Sequence, residues 1–250
     1  MNVFVLFKKE AKEQIKTYRL LIVAAVFLLF GLSTPLLFKF LPEILKMSGE
    51  AIPIEIPAFT PVDALKSYLS SLGQIGVLVA VLVAMGAIAQ ERERGTVIMT
   101  LSKPVGFGEF AVAKLAALVA TFFIGIVLGA LSCLYYTTVL LGSVDVGAFF
   151  AINLLIAVYF VVCLSITLMY SAFFKSQLAA GALALVTLLV MGIISSIPPL
   201  ARYMPSALMG WGQSLATGSG GSAWPALVVS GAIIVAAVIA AWQVLSRKEL

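Results

Sequence analysis

Six long and nearly uncharged apolar runs dominate this sequence of 250 residues. Each run holds about 20 residues, and an α-helix of that length crosses the roughly 30 Å hydrocarbon core of a bilayer. The runs are continuous, whereas the strands of a membrane barrel alternate between apolar and polar residues. The six predicted spans lie at about 20–38, 72–90, 115–141, 149–174, 178–197 and 226–245. The sequence therefore predicts an all-α integral membrane protein with a single transmembrane domain over residues 1–250.

Composition supports this class and argues against several kinds of chemistry. The chain is 62% hydrophobic and 11% charged, with a mean hydropathy of +1.13, whereas about a quarter of the residues of soluble domains are charged. It contains no histidine, which removes the usual general base and the commonest metal ligand. No charged residue lies inside a predicted span, so no proton relay or voltage sensor is indicated. We assign no catalytic and no metal-binding residue, and expect Cys133 and Cys163 to be small core residues.

The N-terminal residues 1–19 are predicted to form an amphipathic helix at the membrane interface. Successive residues placed 100° apart give an apolar stripe beside a basic stripe, which would face anionic headgroups. A signal peptide is the alternative, but the apolar run that follows is too long for one. The apolar stripe is Phe4, Phe7, Ala11, Ile15 and Tyr18, and the basic stripe is Lys8, Lys9, Lys12 and Lys16.

Two segments between predicted spans are rich in proline, and we expect both on the outer side of the membrane. Residues 39–71 contain Pro42, Pro53, Pro57 and Pro61, and the alternating AIPIEIPAF within them favours extended or turn structure over helix. We expect them to form a small outer cap. Residues 198–225 combine prolines with the interface-favouring Tyr203, Trp211 and Trp224, so we predict a re-entrant outer segment with one or two short helices.

The polar groups within the predicted spans are mild. We expect these hydroxyl and amide groups to bond between helices rather than to contact a ligand, and no substrate-binding residue can be assigned. They are Thr121, Ser132, Thr137, Thr138, Asn153, Ser165, Thr167 and Thr187. In the third span, Gly125 and Gly129 form a G-x-x-x-G step that would let another helix approach closely.

Residues 91–114 form a polar interruption between the second and third spans. The interruption opens with a dense charge cluster, Glu91, Arg92, Glu93 and Arg94. Gly95 is predicted to end the preceding helix, because a residue without a Cβ tolerates the reversal. Glu109 is predicted to lie in the first turn of the next helix, where the helix dipole favours a carboxylate.

A short helix is predicted inside this interruption. Thr96 can cap it, three apolar side chains share one face, and Pro104 ends it. Such an apolar knob with a charged rim could insert into a groove of another protein, although an ordinary solvated loop explains the residues equally well. The residues concerned are Thr96, Val97, Ile98, Leu101, Ser102, Lys103 and Pro104.

The distribution of basic residues predicts the orientation. With both termini in the cytoplasm, the cytoplasmic side holds twelve of the sixteen lysines and arginines, and the outer side holds Lys39, Lys46, Lys66 and Arg202. The interruption at 91–114 is then cytoplasmic. The positive charge reflects this topology and the lipid surface, so we expect no nucleic-acid partner.

At this interruption the sequence resembles the membrane subunit of type-2 ABC exporters. The matching residues are Glu91, Glu93, Gly95, Thr96, Leu101, Ser102, Pro104, Val105, Glu109 and Lys114. The amphipathic start, the six spans and the ending Arg247-Lys248-Glu249-Leu250 agree with the same family. Phe107-Gly108 departs from it, since many relatives carry a polar or basic residue there.

The resemblance implies a permease subunit with no ATP site of its own. ATP and Mg would be bound by a separate ABC ATPase, two copies per transporter, and a second permease copy or a homologue would complete the transport path. Val97, Ile98 and Leu101 would seat in a groove of the ATPase, with Glu91, Arg92, Glu93, Arg94 and Lys103 as the charged rim. The expected location is a bacterial or archaeal cytoplasmic membrane.

Two alternatives come from other classes of protein. One is a non-transporting membrane scaffold whose loop recruits a soluble partner. The other is a lipid-modifying membrane protein, whose active face would have to be the cluster at 91–94 without a histidine.

Overall fold

The computed structural model describes residues 3–47, 59–93, 95 and 106–247, and within these ranges the chain is helical with no strand. Within them, one π-helical turn lies at Leu72–Gly76. The helices are α1 Val3–Lys16, α2 Arg19–Met47, α3 Pro61–Ser71, α4 Val77–Ala84, α5 Ala89–Glu93, α6 Phe107–Leu140, α7 Val146–Phe173, α8 Gln177–Ile194, α9 Pro198–Ala201, α10 Ala207–Ala216 and α11 Trp224–Arg247.

The prediction of an all-α protein with six spans is confirmed. Within the described residues, six helical stretches are long and apolar enough to cross a membrane: Arg19–Ile44, Pro61–Glu93, Phe107–Leu140, Val146–Phe173, Gln177–Ile194 and Trp224–Arg247. Most of them are longer than predicted. Within the third, α6 begins eight residues before the predicted Leu115 and so carries Lys114 inside the helix.

The described parts of 39–71 are helical on both sides of AIPIEIPAF, and the extended or turn structure expected from that stretch stays a prediction. Helix α2 continues through Pro35 and Pro42 to Met47, and α3 starts with Pro61 at its first position. Thr60 caps α3 in a reciprocal capping box with Asp63. Proline is tolerated in a first helical turn, and within a bilayer other groups can compensate for a proline inside a helix. Residues 48–58, which hold most of AIPIEIPAF, lie outside the described residues.

The predicted close approach at the G-x-x-x-G step is confirmed, and the partner is α2. A Cβ placed on Gly129 would lie 2.7 Å from the carbonyl oxygen of Phe27, and one on Gly125 would lie 2.7 Å from Val23 Cγ1. On α2, Gly31 faces Gly129 equally closely. Next to this crossing, Phe27 of α2 packs against Phe122 of α6 and Phe160 of α7, with ring centroids 5.8 and 5.3 Å apart. This aromatic cluster joins three spans in one core.

The polar groups of the spans mostly bond within their own helix, so the expectation of bonds between helices is wrong for most of them. Thr121, Ser165 and Thr167 each donate to the carbonyl four residues earlier, at 2.7 to 2.9 Å. Thr187 of α8 also bonds to another span, because its hydroxyl lies 2.8 Å from the Tyr170 hydroxyl of α7. Satisfying a hydroxyl on the local carbonyl needs no second helix, which explains the preference. Cys133 and Cys163 are buried and free, as predicted.

The bundle has two ends, each formed by the ends of several helices. At the first, which we call the junction end, lie α1, α5, the start of α6 and the end of α7, joined by the contacts described below. At the opposite end, which we call the cap end, Pro61 of α3 lies beside Gly142 after α6. Helices α9 and α10, which follow the fifth span, are the two short helices predicted for 198–225. Their insertion into a membrane stays a prediction.

Candidate functional site

A buried lysine organises the junction end. The Lys114 ammonium lies 2.8 Å from Glu10 Oε2 and 2.8 Å from Glu91 Oε1, and its side chain is only 3% exposed. It also lies 5.0 Å from the ring centroid of Phe110, one turn earlier on α6. We call Glu10, Glu91 and Lys114 the charge triad. Since its members come from α1, α5 and α6, the triad ties three separate elements together.

The start of α6 fixes the position of Lys114. Gly106 precedes the helix, and its N–H donates to Glu109 Oε2 at 3.4 Å, so Glu109 lies in the first turn as predicted. Lys114 follows more than one turn later on a face that also buries Phe110 and Ala111. The helix therefore carries the ammonium into the bundle instead of leaving it at the surface.

Helix α1 presents a different face to the bundle from the one that its apolar stripe suggests. Leu6, Glu10 and Gln14, spaced four apart, are buried, whereas Phe4 and Ile15 of the predicted apolar stripe are exposed. A partner of opposite charge makes this possible, because Lys114 compensates the buried carboxylate of Glu10. The apolar stripe is left free for lipid, and its place at a membrane surface stays a prediction.

A third carboxylate lies close to the triad. The nearest carboxylate oxygens of Glu10, Glu13 and Glu91 lie within 4.8 Å of one another, and Lys9 Nζ is 3.6 Å from Glu10 Oε1. Oxygen atoms of this kind suit a hard cation. The ammonium of Lys114 already supplies a cation to two of the three, so we assign no metal to this cluster.

The second span is broken just before it reaches the triad. Helix α4 ends at Ala84 and α5 begins at Ala89. The hydroxyl of Ser171 on α7 bridges this break: it accepts from the N–H groups of Ile88 and Ala89 at 2.9 Å and donates to the carbonyl of Met85 at 2.8 Å. It thereby satisfies backbone groups that the interrupted helix leaves unpaired.

Further contacts hold α5 against its neighbours. The Arg92 guanidinium donates to the carbonyl of Ala172 at the end of α7, and Arg19 at the start of α2 donates to Gln90 Oε1 at 3.3 Å. The fifth span is close as well, because a Cβ on Gly86 would meet Gln177 Oε1 at 3.0 Å. The last turn of the second span is thus clamped from several sides.

The predicted site residues divide into those that the structure describes and those that it does not. Glu91 and Arg92 make the contacts given above, Glu93 is exposed, and Gly95 has φ +68°, the left-handed conformation expected where a helix ends. The remaining predicted residues lie outside the described residues, so the short helix stays a prediction. They are Arg94, Thr96, Val97, Ile98, Leu101, Ser102, Lys103 and Pro104.

Sequence reasoning did not place Glu10 and Ser171 in the site. Glu10 had a visible signal, since an acidic residue interrupts the row of lysines in 8–16. Ser171 had none, because a single serine near the end of an apolar run is common. Its role depends on a break in another span, which the continuous apolar pattern of 72–90 conceals.

Taken together, the fold and this junction define a multi-pass, all-helical membrane protein with charged elements assembled at one end. The family model for ABC-2 family transporter protein matches residues 4–250, and the chain belongs to this family. The resemblance drawn from the 91–114 interruption is therefore confirmed. The chain is a membrane transport component, and the permeases of this family generally work with an ATPase subunit.

The chain is also similar to a protein of Bacillus subtilis (strain 168) described as uncharacterized transmembrane protein YxlG. The two are 25% identical over 207 residues, which cover 81% of this chain and 80% of the relative. The similarity thus extends over most of both chains.

Proposed function

We propose that this chain is the permease subunit of an ATP-driven ABC exporter in a bacterial or archaeal cytoplasmic membrane. Two copies of a separate ABC ATPase would bind ATP and Mg at the cytoplasmic side. Two permeases, or this chain and a homologue, would form the transport path between them. The exposed apolar faces of α8 and α11 offer surface for such a second copy. Residues 91–114 would be the contact with the ATPase.

The observation that carries this proposal is the charge triad. The ion pair between Glu91 and Lys114 joins α5, which precedes residues 94–105, to α6, which follows them. Because separating buried opposite charges is strongly unfavourable, a force on the segment would move α5 and α6 together. Glu10 extends the same connection to α1, and Arg92 extends it to α7.

This connection gives a route from ATP to the transport path. Closure of the two ATPase subunits on ATP would shift the segment at 94–105, and the clamped ends of the second and third spans would follow as levers. The break between α4 and α5 is a natural pivot, since three of its backbone groups bond to the Ser171 hydroxyl instead of to the helix itself. The spans would then open the path alternately to the two sides.

Co-purification tests the proposal. The chain is co-expressed with candidate ABC ATPases from the same genome and purified in detergent. The wild type is compared with the triple variant Val97→Ser, Ile98→Ser, Leu101→Ser. We expect wild type to retain an ATPase and its activity and the triple variant to lose both, because the apolar knob would no longer fill the groove. Lys175→Ser is the matched control, since it changes an exposed residue in the other turn of the same end.

The possible results separate the classes of function. A folded wild-type chain that retains none of the ATPases would contradict the proposal and favour a scaffold or a lipid-modifying protein. Retention of an ATPase by the triple variant as well would show that the contact does not depend on Val97, Ile98 and Leu101. It would overturn the proposed site of contact with the ATPase.

A further inference from the structure

The cap end contains an open cavity that plays no part in the proposed contact with the ATPase. It has a volume of about 550 Å³ and lies between the end of α8, the short helices α9 and α10, and the start of α11. Ligand sites for small molecules typically measure about 300 to 1,000 Å³. The cavity is therefore large enough for a headgroup and the first part of the chains of a lipid. We call it the outer pocket.

The outer pocket carries a positive charge without a compensating carboxylate. Arg202 lines it, and its guanidinium carbon lies 4.7 Å from the ring centroid of Tyr203. The sequence contains no aspartate or glutamate between Asp145 and Glu249. Within the part of the chain that the structure describes, no acidic side chain pairs with Arg202. An arginine in this situation attracts an anion, and its planar fork matches the oxygens of a phosphate.

Serine hydroxyls add hydrogen-bond acceptors to the same wall. The hydroxyls of Ser195 and Ser214 donate to the carbonyls of Gly192 and Trp211, which leaves their lone pairs for other donors. The Ser206 Oγ has no hydrogen-bond partner among the described residues, but it is buried and therefore closed to a ligand in the pocket.

The rest of the wall is apolar and aromatic. Trp211 lines the pocket and packs against Trp224, with ring centroids 5.3 Å apart. Tryptophan is enriched where a protein meets the boundary between lipid headgroups and acyl chains. A pocket with a cationic and hydroxyl-bearing side beside such a pair fits a molecule that is itself anionic at one end and apolar at the other.

We propose that the outer pocket binds the headgroup of an anionic phospholipid, with its phosphate on Arg202 and its chains beside Trp211. The positive-charge count places the cap end on the outer side, so the lipid would come from the outer leaflet. This binding requires no ATPase, and it can be tested apart from the coupling proposal.

The test is a fluorescence titration of the purified full chain in a neutral detergent. The variant Trp242→Phe serves as background, because it leaves two of the three tryptophans: Trp211, which lines the pocket, and Trp224, which packs against Trp211. The titrants are short-chain phosphatidylglycerol, which is anionic, short-chain phosphatidylcholine, which is zwitterionic, and inorganic phosphate. We expect saturable binding of phosphatidylglycerol, weaker binding of phosphatidylcholine, and weaker binding still of phosphate.

Substitutions identify the residues responsible. Arg202→Gln should weaken the binding of phosphatidylglycerol about tenfold or more, which is the usual loss when a charged hydrogen bond is removed. Lys66→Gln is the matched control, since Lys66 is an exposed cation on α3 near the same end, and it should leave binding unchanged. If Arg202→Gln does not fold, the wild type alone still tests the inference. Raising NaCl from about 0.05 to about 0.5 M should weaken the binding of phosphatidylglycerol more than that of phosphatidylcholine.

Three results would overturn the inference. Equal binding of the two lipids, with no effect of salt or of Arg202→Gln, would show that the pocket does not recognise charge. Phosphate binding as tight as phosphatidylglycerol would assign the site to a free anion. The absence of a saturable fluorescence change with every titrant would show that the pocket binds none of these lipids. None of these results would bear on the ATPase contact.

Discussion

At the scale of single residues, Lys114 determines the chemistry of the junction end. Its ammonium and the Glu10 carboxylate are almost fully withdrawn from solvent, with side chains 3% and 4% exposed. Removing two charges from water costs several kcal/mol each, and the attraction between them offsets this only when the geometry is good. Apolar side chains of similar volume would often be at least as stable. The triad therefore makes sense as a device that fixes the relative positions of α1, α5 and α6.

Replacing Lys114 with methionine should destabilise the protein strongly. The substitution keeps the length of the side chain but leaves two carboxylates without their cation, and breaking a buried pair in this way costs about 3–5 kcal/mol. For a chain of this size that corresponds to a loss of roughly 10 °C in apparent melting temperature. Thermal unfolding of the purified protein in detergent measures it.

A triple variant distinguishes loss of the ion pairs from loss of packing. Lys114→Met combined with Glu10→Gln and Glu91→Gln removes all three charges, so we expect it to recover a large part of the melting temperature. Lys66→Met, at an exposed lysine, is the control and should change it little. If the triple variant melted as low as Lys114→Met alone, the electrostatic explanation would be wrong.

The sequence shows why this triad was only partly predictable. Lys114 and Glu91 were recognised as part of the 91–114 interruption, but Lys114 was placed just outside the third span. Its burial depends on Glu10, which is 104 residues away in the chain. The sequence shows the glutamates among the lysines of 8–16 but not the pairing, because charged residues on a surface helix usually remain in solvent.

At the scale of elements, apolar patterning predicted that the spans exist better than it predicted where they begin and end. Hydropathy falls at the first polar or proline residue, so the expected spans stop near Phe38 and begin near Leu72. The helices themselves continue through Pro42 and start at Pro61. Backbone groups favour hydrogen bonding within a helix well beyond the apolar core, and composition does not report this. For the same reason the break at Met85–Ile88, inside an unbroken apolar run, could not be predicted.

The break in the second span should depend on Ser171. Ser171→Ala removes a hydroxyl that serves two N–H groups and one carbonyl, and leaving buried backbone groups unpaired costs about 1–3 kcal/mol. We expect a melting temperature lower by roughly 3–10 °C. The same thermal unfolding assay applies.

Ser132→Ala is the control for this prediction, because it removes the same hydroxyl from a neighbouring span. Ser132 Oγ is buried and has no hydrogen-bond partner among the residues that the structure describes, so its loss should be neutral or slightly stabilising. Equal melting temperatures for the two variants would mean that Ser171 does not hold the break. The pivot suggested for coupling would then lose its support.

At the scale of the whole molecule, the orientation in the membrane decides whether the junction end can meet an ATPase. ATP is in the cytoplasm, so the proposal requires α1, α5 and the start of α6 to face that side. The excess of twelve basic residues over four favours this orientation. The structure gathers those elements at one end and leaves α9, α10 and the outer pocket at the other.

A pair of serine-to-cysteine variants tests the orientation directly. Ser176 lies in the turn before α8 at the junction end, and Ser222 lies before α11 at the cap end; both are exposed, and neither substitution changes the charge. The native Cys133 and Cys163 are buried and should not react. A membrane-impermeant maleimide should therefore label Ser222→Cys in intact cells and Ser176→Cys only after the membrane is opened. The reverse pattern would place the 91–114 segment outside, where no ATPase could bind it, and the coupling proposal would fail whatever the stability of the triad.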